Sequence, residues 1–458
     1  MKFIICGGGQ VGISIARHLA AEDNDVVLID SSPELIGKIA ESLDIKGVVG
    51  FGSHPEVLES AGASDADMLI AVTREDEVNM VTCQVARSLF NLPMTMARIR
   101  HQSYLDPAWA DLFSRENLPI DVIISPEMEI ARAISRRLAA PGSFEMIPLV
   151  GGKVRVIGVR CGDDCPVINT PLRLLTGLFP DLNIVVISIL RQGQRIIPGR
   201  DTQMLSGDDV YFVVDVDHVA RAMSAFGHEE PEARRIVIVG AGNIGIFLAQ
   251  ALEEQYPAAN IKIIDQNRAA SERASRTLDR ATVIMGDALD PDILAEANIA
   301  NTETVIVVTN EDEVNVLASL LAKRHGCQRA VTLLNNPVFG PLITNLGIDV
   351  VVSPRAITVS TILQHVRRGR IRAAHSLGEG IGEVIEGDAL ETSPFVGAPL
   401  KDIDIPAGVI VGALVRDDEV IIPRGDTEIK PKDRIVLFAT TEAVKKVEKM
   451  FSVRLEYF

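Results

Sequence analysis

The chain has 458 residues, more than one hydrophobic core normally organises, so its length predicts several domains. Hydrophobic residues make up 47% of it and mean hydropathy is +0.21; with no apolar stretch of about 18 residues, this indicates buried parallel strands rather than a membrane span. The net charge of −17 and the aromatic content of 4% argue against a nucleic-acid-binding protein, which needs clustered cations and stacking rings.

The first predicted strand runs directly into a glycine turn. Residues 1–12 read MKFIICGGGQVG, an apolar run that ends in Gly-x-Gly-x-x-Gly. In such a turn the first glycine permits a tight bend, the second lets the backbone approach a pyrophosphate, and the third lets the next helix pack on the strand. The helix N-terminus then presents free N–H groups to the anion. The predicted nucleotide contacts of this turn are Gly7, Gly9, Gln10, Val11 and Gly12.

Strands and helices alternate from there to about residue 140. Asp30 closes the second apolar run, where a carboxylate accepts hydrogen bonds from ribose hydroxyls and disfavours a 2′-phosphate, so NAD is preferred over NADP. An amphipathic helix is predicted over 76–90. Six alternating strands predict a complete doubly wound parallel sheet, a Rossmann domain. The predicted strands lie near 2–6, 25–30, 46–50, 67–72, 94–99 and 121–124.

Two further candidates follow the fourth and fifth strands. The loop that starts at Thr73 lies at the carboxyl end of the sheet, near the reversal of strand order where such sheets bind ligands. Thr73 is expected to donate a hydrogen bond to ribose or phosphate, or alternatively to cap the helix after it. Arg98, on the fifth strand, is expected to hold a terminal phosphate or stack on adenine; the alternative is a solvated or ion-paired arginine.

A small α+β subdomain is predicted after the first sheet. It combines a short helix near 171–176, a helical stretch over 216–226 and three strands. The acidic stretch GHEEPEARR (227–235) is typical of a linker. The three strands are predicted over 153–159, 184–190 and 209–214.

The second half of the chain repeats the first. RRIVIVGAGNIG (234–245) carries the glycine turn again, and VIVVTNEDEVN (305–315) matches LIAVTREDEVN (69–79). The late segments IIPGRDT (196–202) and IIPRGDT (421–427) also match, so the whole two-part unit is duplicated. The predicted nucleotide contacts of the second copy are Gly240, Gly242, Asn243, Ile244, Gly245, Asp265 and Thr309.

These elements give the fold class as α/β, with two Rossmann domains each followed by a small α+β subdomain. A basic segment near the end of the second Rossmann domain indicates a contact with a partner or with acidic lipid headgroups, or alternatively a solvated helix end. That segment contains Arg367, Arg368, Arg370 and Arg372. We predict Rossmann domains at 1–140 and 234–370, small subdomains at 141–227 and 371–458, and a linker at 228–233.

Catalysis is not expected. The two copies share no set of His, Lys or Tyr residues that could perform the same chemistry twice, and the chain has no nucleophile elbow, no P-loop lysine and no metal-ligand cluster. Two nucleotide sites in one chain favour a regulator that responds to ligand binding. An NAD-dependent oxidoreductase is the alternative, and a scaffold with vestigial sites is a third possibility.

The order GGGQVG, Asp30, VTREDEVN and ARIRHQSY, followed by a small α+β subdomain and then repeated, resembles the RCK (KTN plus TrkA-C) domains of potassium transport regulators. The resemblance implies a cytoplasmic regulatory subunit, not an enzyme, that forms a homotetrameric ring. Such a ring would attach peripherally to the inner face of the cell membrane through a membrane-embedded, Trk-type potassium-translocating subunit. Binding of NAD(H) and of ATP or ADP would change its shape and so gate ion flow.

The resemblance also implies nucleotide contacts for the glycines, acids, threonines and Arg98 named above. The family's acidic position after the third strand corresponds to Asp287 in the second copy and, by our alignment, to Ser53 in the first. Leu333 stands in the second copy where the first has Arg98. These two differences predict that the copies differ in ligand preference.

Overall fold

The structure, a computed structural model, describes residues 1–179, 182–230, 233–336, 343, 346–366, 371–377 and 380–451. It contains two compact units. The first comprises Met1–Glu129 and Pro354–Val366, and the second comprises Ile130–Ser353 and Arg367–Phe458. Within the described residues, every helix is too short or too polar to cross a bilayer.

The first unit is built on a six-stranded parallel sheet, as predicted. Its strands lie in the order β3-β2-β1-β4-β5-β6, so the order reverses between β1 and β4. The strands are β1 (Lys2–Cys6), β2 (Asp25–Asp30), β3 (Lys46–Val49), β4 (Met68–Ala71), β5 (Met94–Arg98) and β6 (Val122–Ile124). The helices are α1 (Gln10–Ala21), α2 (Pro33–Ser42), α3 (Pro55–Ser60) and α4 (Asp76–Phe90).

Both faces of this sheet are covered, which explains the unbroken apolar runs in the sequence. Phe3 and Ile5 of β1 belong to the same core cluster as Ile15 of α1. Their neighbours Ile4 and Cys6 point to the opposite face and belong to a second cluster. All of these β1 side chains are fully buried, as expected for a parallel strand between two helical layers.

The second unit contains an equivalent parallel sheet, with the order β14-β13-β12-β15-β16-β17. Its strands are β12 (Arg235–Val239), β13 (Asn260–Asp265), β14 (Thr282–Met285), β15 (Thr304–Val307), β16 (Arg329–Leu333) and β17 (Val350–Val352). Its helices are α8 (Asn243–Gln255), α9 (Arg268–Thr277), α10 (Pro291–Glu296) and α11 (Asp312–Arg324). The fold class is therefore confirmed for both copies.

The two copies exchange the helix that follows the sixth strand. Helix α12 (Pro354–Gln364) comes from the second copy, yet Ile362 and Leu363 are buried in the core cluster of the first sheet. Helix α5 (Pro126–Leu138) comes from the first copy, and Ser135 donates a hydrogen bond of 2.7 Å to Gln255 of α8. Alternating strand and helix patterns carry no signal for this exchange.

The two small subdomains share one topology, a five-stranded antiparallel sheet. The orders are β10-β9-β11-β8-β7 and β18-β19-β22-β20-β21. The elements of the first are β7 (Ser143–Leu149), β8 (Val154–Arg160), α6 (Leu172–Leu178), β9 (Ile184–Arg191), β10 (Gln194–Ile196), β11 (Asp209–Asp215) and α7 (Val219–Ala225). Those of the second are β18 (Ile371–Ser376), β19 (Glu383–Asp388), β20 (Val409–Arg416), β21 (Glu419–Ile421), β22 (Arg434–Ala439) and α13 (Val444–Phe451).

The sheets of the small subdomains pack against each other inside the second unit. One apolar cluster combines Val156 and Val213 with Val384 and Phe438. Two buried hydrogen bonds cross between the subdomains: the Val150 amide donates to Glu386 at 2.8 Å, and the Tyr211 hydroxyl donates to the Leu377 carbonyl at 3.2 Å. Strands β7 and β10 were not predicted, because β7 lacks regular alternation and β10 has only three residues.

The boundaries predicted for the two Rossmann domains, the two subdomains and the linker stay a prediction. Each compact unit combines two separate segments of the chain, because the helices are exchanged. Within the predicted linker 228–233, residues 231 and 232 lie outside the described residues. The residues before them are anchored, since the His228 amide donates to the Met223 carbonyl at 2.9 Å.

Candidate functional site

The glycine turn of the first copy is shaped by contacts too close for any side chain. Gly7 has a φ of +113°, and a Cβ there would lie 2.9 Å from the Thr73 amide nitrogen. A Cβ on Gly12 would lie 1.9 Å from the Gly7 carbonyl oxygen, so α1 packs against the end of β1 only with a glycine at this point. A Cβ on Gly9 would meet no atom within 4 Å, because it would project into an open cleft.

The second copy reproduces this geometry. Gly240 has a φ of +108°, a Cβ on Gly245 would lie 1.9 Å from the Gly240 carbonyl oxygen, and a Cβ on Gly242 would meet no atom within 4 Å. The three glycines therefore have the same roles in both halves. The first forms a left-handed bend, the second leaves an open surface, and the third allows a close contact between helix and strand.

The predicted ribose acids close the glycine turns from the neighbouring strand. Asp30 accepts hydrogen bonds from the Gly8 amide at 2.6 Å and the Ser32 amide at 2.9 Å. Asp265 accepts equivalent bonds from Ala241 at 2.6 Å and from Asn267 at 2.7 Å. Each carboxylate oxygen keeps a further lone pair for a ligand hydroxyl, so the acids both shape the turn and face the cleft.

A buried asparagine ties Thr73 to the neighbouring strand. The Thr73 amide and hydroxyl both donate to Asn79 Oδ1, at 2.9 and 2.7 Å, while Asn79 Nδ2 donates to the Arg98 carbonyl at 2.9 Å. Thr309 and Asn315 repeat the pattern in the second copy, with Nδ2 donating to the Leu333 carbonyl at 3.0 Å. The alternative in which Thr73 caps α4 is wrong, because Glu75 is the N-cap residue.

These asparagines are fully buried in both copies and shape the candidate site, but the sequence analysis did not single them out. They hold the ends of the fourth and fifth strands together under the cleft. The signal was present: an asparagine repeats at the same position of both copies, in the first turn of an amphipathic helix. Its role required knowledge of which strand lies beside the helix.

The first cleft encloses about 650 Å³ at the carboxyl edge of its sheet. Gly12 does not line it and lies beneath the turn in the helix–strand contact. Seven of the eight residues predicted for this copy line the cleft: Gly7, Gly9, Gln10, Val11, Asp30, Thr73 and Arg98.

Arg98 lines the first cleft and is held by a backbone carbonyl. One terminal nitrogen donates to the Thr73 carbonyl at 2.7 Å, whereas Nε is buried and has no hydrogen-bond partner among the described residues. Burial lowers the pKa of this guanidinium, and the neighbouring Arg100 lowers it further. Because the side chain lines the cleft, its guanidinium is a candidate contact for a ligand anion.

The second cleft encloses about 520 Å³ at the same edge of its sheet. Of the predicted residues, Gly240, Gly242, Asp265, Asp287 and Thr309 line it. Asn243, Ile244 and Gly245 lie in the first turn of α8 and are not among its lining residues.

The pairing of Asp287 with Ser53 is wrong. The Gly50 amide donates to the Asp30 carbonyl and the Gly286 amide to the Asp265 carbonyl, so these two glycines are equivalent. The next residue in the chain is Phe51 in the first copy and Asp287 in the second, and both line their clefts. Our alignment slipped by two residues because the loops FGS and GDA share only a glycine.

The fifth strand confirms that Leu333 stands in the second copy where the first copy has Arg98. Asn79 and Asn315 bind the carbonyls of Arg98 and Leu333, which makes these residues equivalent, and Leu333 is buried. Arg100 is a further lining residue of the first cleft, and its Nε donates to Glu127 at 2.9 Å in the first turn of α5.

The ionisable side chains that line the two clefts are carboxylates, arginines and one cysteine. Among the described lining residues there is no His, Lys or Tyr in either cleft. Cys6 lines the first cleft, but burial raises the pKa of its thiol to about 12, so the thiolate is scarce at neutral pH. Both clefts offer open backbone, hydroxyl and carboxylate groups, which suit a bound nucleotide.

Most of the basic segment near the end of the second Rossmann domain lies outside the described residues, which exclude 367–370. Arg372 is described, and its Nε donates to both carboxylate oxygens of Asp388 at 2.8 Å. That pair joins β18 to β19, so Arg372 has a structural role in its own sheet.

Two family models match the chain, each of them twice. The TrkA-N domain matches residues 3–126 and 236–354, which include both clefts. The TrkA-C domain matches residues 156–227 and 388–452, in the two small subdomains.

Full-length relatives and solved structures agree with these matches. The Trk system potassium uptake protein TrkA of Azorhizobium caulinodans is 50% identical over 458 residues, with 100% of both chains covered. The protein of the same name from Halomonas elongata is 39% identical over 462 residues, again covering 100% of both. The crystal structure of the GsuK RCK domain covers 99% of this chain and 95% of its own, with 20% identity and a TM-score of 0.59. The GsuK channel bound to NAD covers 99% of this chain and 79% of its own, with 19% identity and a TM-score of 0.59.

Proposed function

Since this chain belongs to the TrkA family of Trk-system potassium uptake proteins, with TrkA-N and TrkA-C domains in tandem, we propose that it is a nucleotide-binding regulatory subunit. It binds NAD(H) and ATP or ADP and thereby gates a membrane-embedded potassium-translocating subunit. It works as a homotetramer on the cytoplasmic face of the membrane, attached through that partner, and it catalyses no reaction.

One observation carries this proposal: the same open cleft occurs twice, at the carboxyl edge of two parallel sheets. Each is lined by a glycine on which a Cβ would meet no atom within 4 Å and by an aspartate at the end of the second strand. A pyrophosphate fits over Gly9 or Gly242 at the N-terminus of the following helix, and ribose hydroxyls fit against Asp30 or Asp265. The solved GsuK channel with the same fold is bound to NAD.

The proposed contacts are the predicted site residues in the two clefts. Gly12 and Gly245 act indirectly, since they let the helix N-terminus reach the ligand. The proposed contacts of the first cleft are Gly7, Gly9, Gln10, Val11, Asp30, Thr73 and Arg98. Those of the second are Gly240, Gly242, Asp265, Asp287 and Thr309, while Asn243 and Ile244 supply backbone N–H groups at the start of α8.

A contact between the first cleft and α5 could couple ligand binding to a conformational change. Arg100 lines the first cleft and holds Glu127 in the first turn of α5, and from Ile130 onward that helix belongs to the second unit. A ligand that moves Arg100 therefore changes the anchor of the first turn of α5. Such a ligand shifts the conformational equilibrium only to the extent that it binds one state better than the other.

An NAD-dependent oxidoreductase is the less favoured alternative. Hydride transfer needs a general acid or base beside the nicotinamide, and the described lining residues supply no histidine, lysine or tyrosine. We expect no oxidation of NADH above background with carbonyl substrates.

Calorimetric titration of the purified full-length protein with NAD, NADH, ATP and ADP tests the proposal. Gly9→Asp and Gly242→Asp each place a carboxylate in open space at a φ near −68°, so both variants should fold while repelling phosphate. We expect each variant to lose a different part of the binding. Potassium flux through the reconstituted membrane partner should then lose its nucleotide response in the variants. Absence of nucleotide binding to the wild-type protein contradicts the proposal.

A further inference from the structure

The charges that line the two clefts are opposite. Three arginines and two carboxylates line the first cleft, whereas three carboxylates and no lysine or arginine are among the described lining residues of the second. Each cleft is lined by one of the equivalent aspartates, Asp30 or Asp265. Each is also lined by one of the equivalent glutamates, Glu75 or Glu311. The remaining charges therefore distinguish the clefts.

Four equivalent positions account for the difference. Arg98 and Leu333 are equivalent through the asparagine hydrogen bonds described above. Arg100 is equivalent to Asn335, because their amides donate to the matching Asp76 and Asp312, each at 2.9 Å. The other two pairs are Arg74 with Asn310, directly after the paired threonines, and Phe51 with Asp287.

The segment after β16 does not restore the missing charge. Residues 334–347 read LNNPVFGPLITNLG and contain neither lysine nor arginine. Arg273 of α9 approaches the second glycine turn, but it donates to the Ala241 carbonyl at 3.2 Å and is not a lining residue.

Phe51 also changes what the first cleft can bind. Its side chain is 55% exposed although it lines the cleft, and its ring lies 5.4 Å from that of His54. The Gly50 amide donates to the Asp30 carbonyl at 2.9 Å, so Phe51 follows directly beside the proposed ribose contact. A nucleobase attached to that ribose can stack on an exposed aromatic face, whereas Asp287 offers a charge instead.

From these observations, and resting on the proposed function, we infer that the two clefts sort nucleotides by phosphate charge. The first takes an adenine nucleotide with a multiply charged terminal phosphate, such as ATP or ADP, with its base on Phe51. The second takes a dinucleotide such as NAD, in which both phosphates are esterified and each carries a single charge. Three carboxylates disfavour the larger charge there, while cations in the first cleft attract it.

The test measures nucleotide binding to one cleft at a time in the full-length protein. Gly242→Asp leaves only the first cleft available, and Gly9→Asp leaves only the second. Dissociation constants for ATP, ADP and NAD are measured by calorimetry in EDTA, because Mg²⁺ would mask phosphate charge. We expect the ratio of ATP to NAD affinity to be at least tenfold higher in the first cleft.

Further substitutions in these single-cleft backgrounds separate the charge from the aromatic ring. Arg98→Leu, which copies the second cleft, should weaken ATP binding at least tenfold and NAD binding less than threefold, and Arg98→Lys should restore most of the ATP affinity. Asp287→Asn should strengthen ATP binding in the second cleft. Phe51→Ala should weaken every adenine nucleotide in the first cleft, and Phe51→Trp should not. Rising salt should weaken ATP more than NAD.

The outcomes distinguish this inference from the proposed function. If both clefts bind nucleotides with the same ATP to NAD ratio, charge sorting is wrong while the regulatory role stands. If neither cleft binds a nucleotide, both proposals fail. A first cleft that prefers NAD over ATP also overturns the inference.

Discussion

Substituting single glycines should separate folding from ligand binding. A Cβ on Gly12 would lie 1.9 Å from the Gly7 carbonyl oxygen, and Cβ contacts below 3.0 Å essentially never occur, so the backbone must open by about 1.1 Å. Because both partners are backbone, Gly12→Ala should cost about 3 kcal/mol, the upper end for overpacked sites. Gly9→Ala meets open space at φ −68° and should change the free energy of unfolding by less than about 1 kcal/mol.

The assay combines denaturant unfolding with nucleotide titration. Trp109 is the single tryptophan and belongs to the first unit, so its fluorescence follows that unit, while circular dichroism follows the whole chain. Gly12→Ala should shift the Trp109 transition to lower denaturant. Gly245→Ala, with the same 1.9 Å conflict in the second unit, should act mainly on the dichroism signal. Gly9→Ala should fold normally yet lose at least tenfold in nucleotide affinity.

Two results would refute this reasoning. An unchanged midpoint for Gly12→Ala would mean that the contact between α1 and β1 is not close-packed. Unchanged nucleotide affinity for a folded Gly9→Ala would mean that the phosphates do not pass over that glycine.

Three further changes test contacts away from the glycine turns. Asn79→Ala removes a fully buried hub and leaves backbone groups unpaired, so it should destabilise the first unit by about 2–4 kcal/mol in thermal unfolding; an unchanged melting temperature would contradict this. Tyr211→Phe leaves the Leu377 carbonyl without its donor and should cost about 1 kcal/mol in denaturant unfolding, whereas no change would imply a replacement donor. Burial alone would raise the pKa of Glu303, but hydrogen bonds led by the Arg235 amide lower it overall. Its stabilising effect is therefore fully present above the pKa of an unfolded glutamate, about 4.3, and is lost as the pH falls through the lower pKa of the folded state. Glu303→Gln should therefore flatten the acid limb of stability against pH, and parallel limbs for the two proteins would disprove the linkage.

The sequence by itself determined the repeated architecture and, within the candidate site, the glycine turns and their aspartates. The order of strands and helices, the glycine turns and the acids Asp30 and Asp265 follow from local patterns, because backbone conformation and amphipathicity act over a few residues. The equivalence of Arg98 and Leu333 also followed, since both residues end the fifth strand of their copy. Strand order in the parallel sheet follows from general rules for such connections.

Only the tertiary structure decided which segments from distant parts of the chain meet. The exchange of α5 and α12 depends on which of two similar sheets each helix packs against, and no local pattern distinguishes the two sheets. The equivalence of Phe51 and Asp287 depends on where two glycine amides donate, in loops that share one residue. The role of Asn79 depends on a strand that lies beside its helix, because a hydrogen bond between separate elements leaves no periodic trace in either.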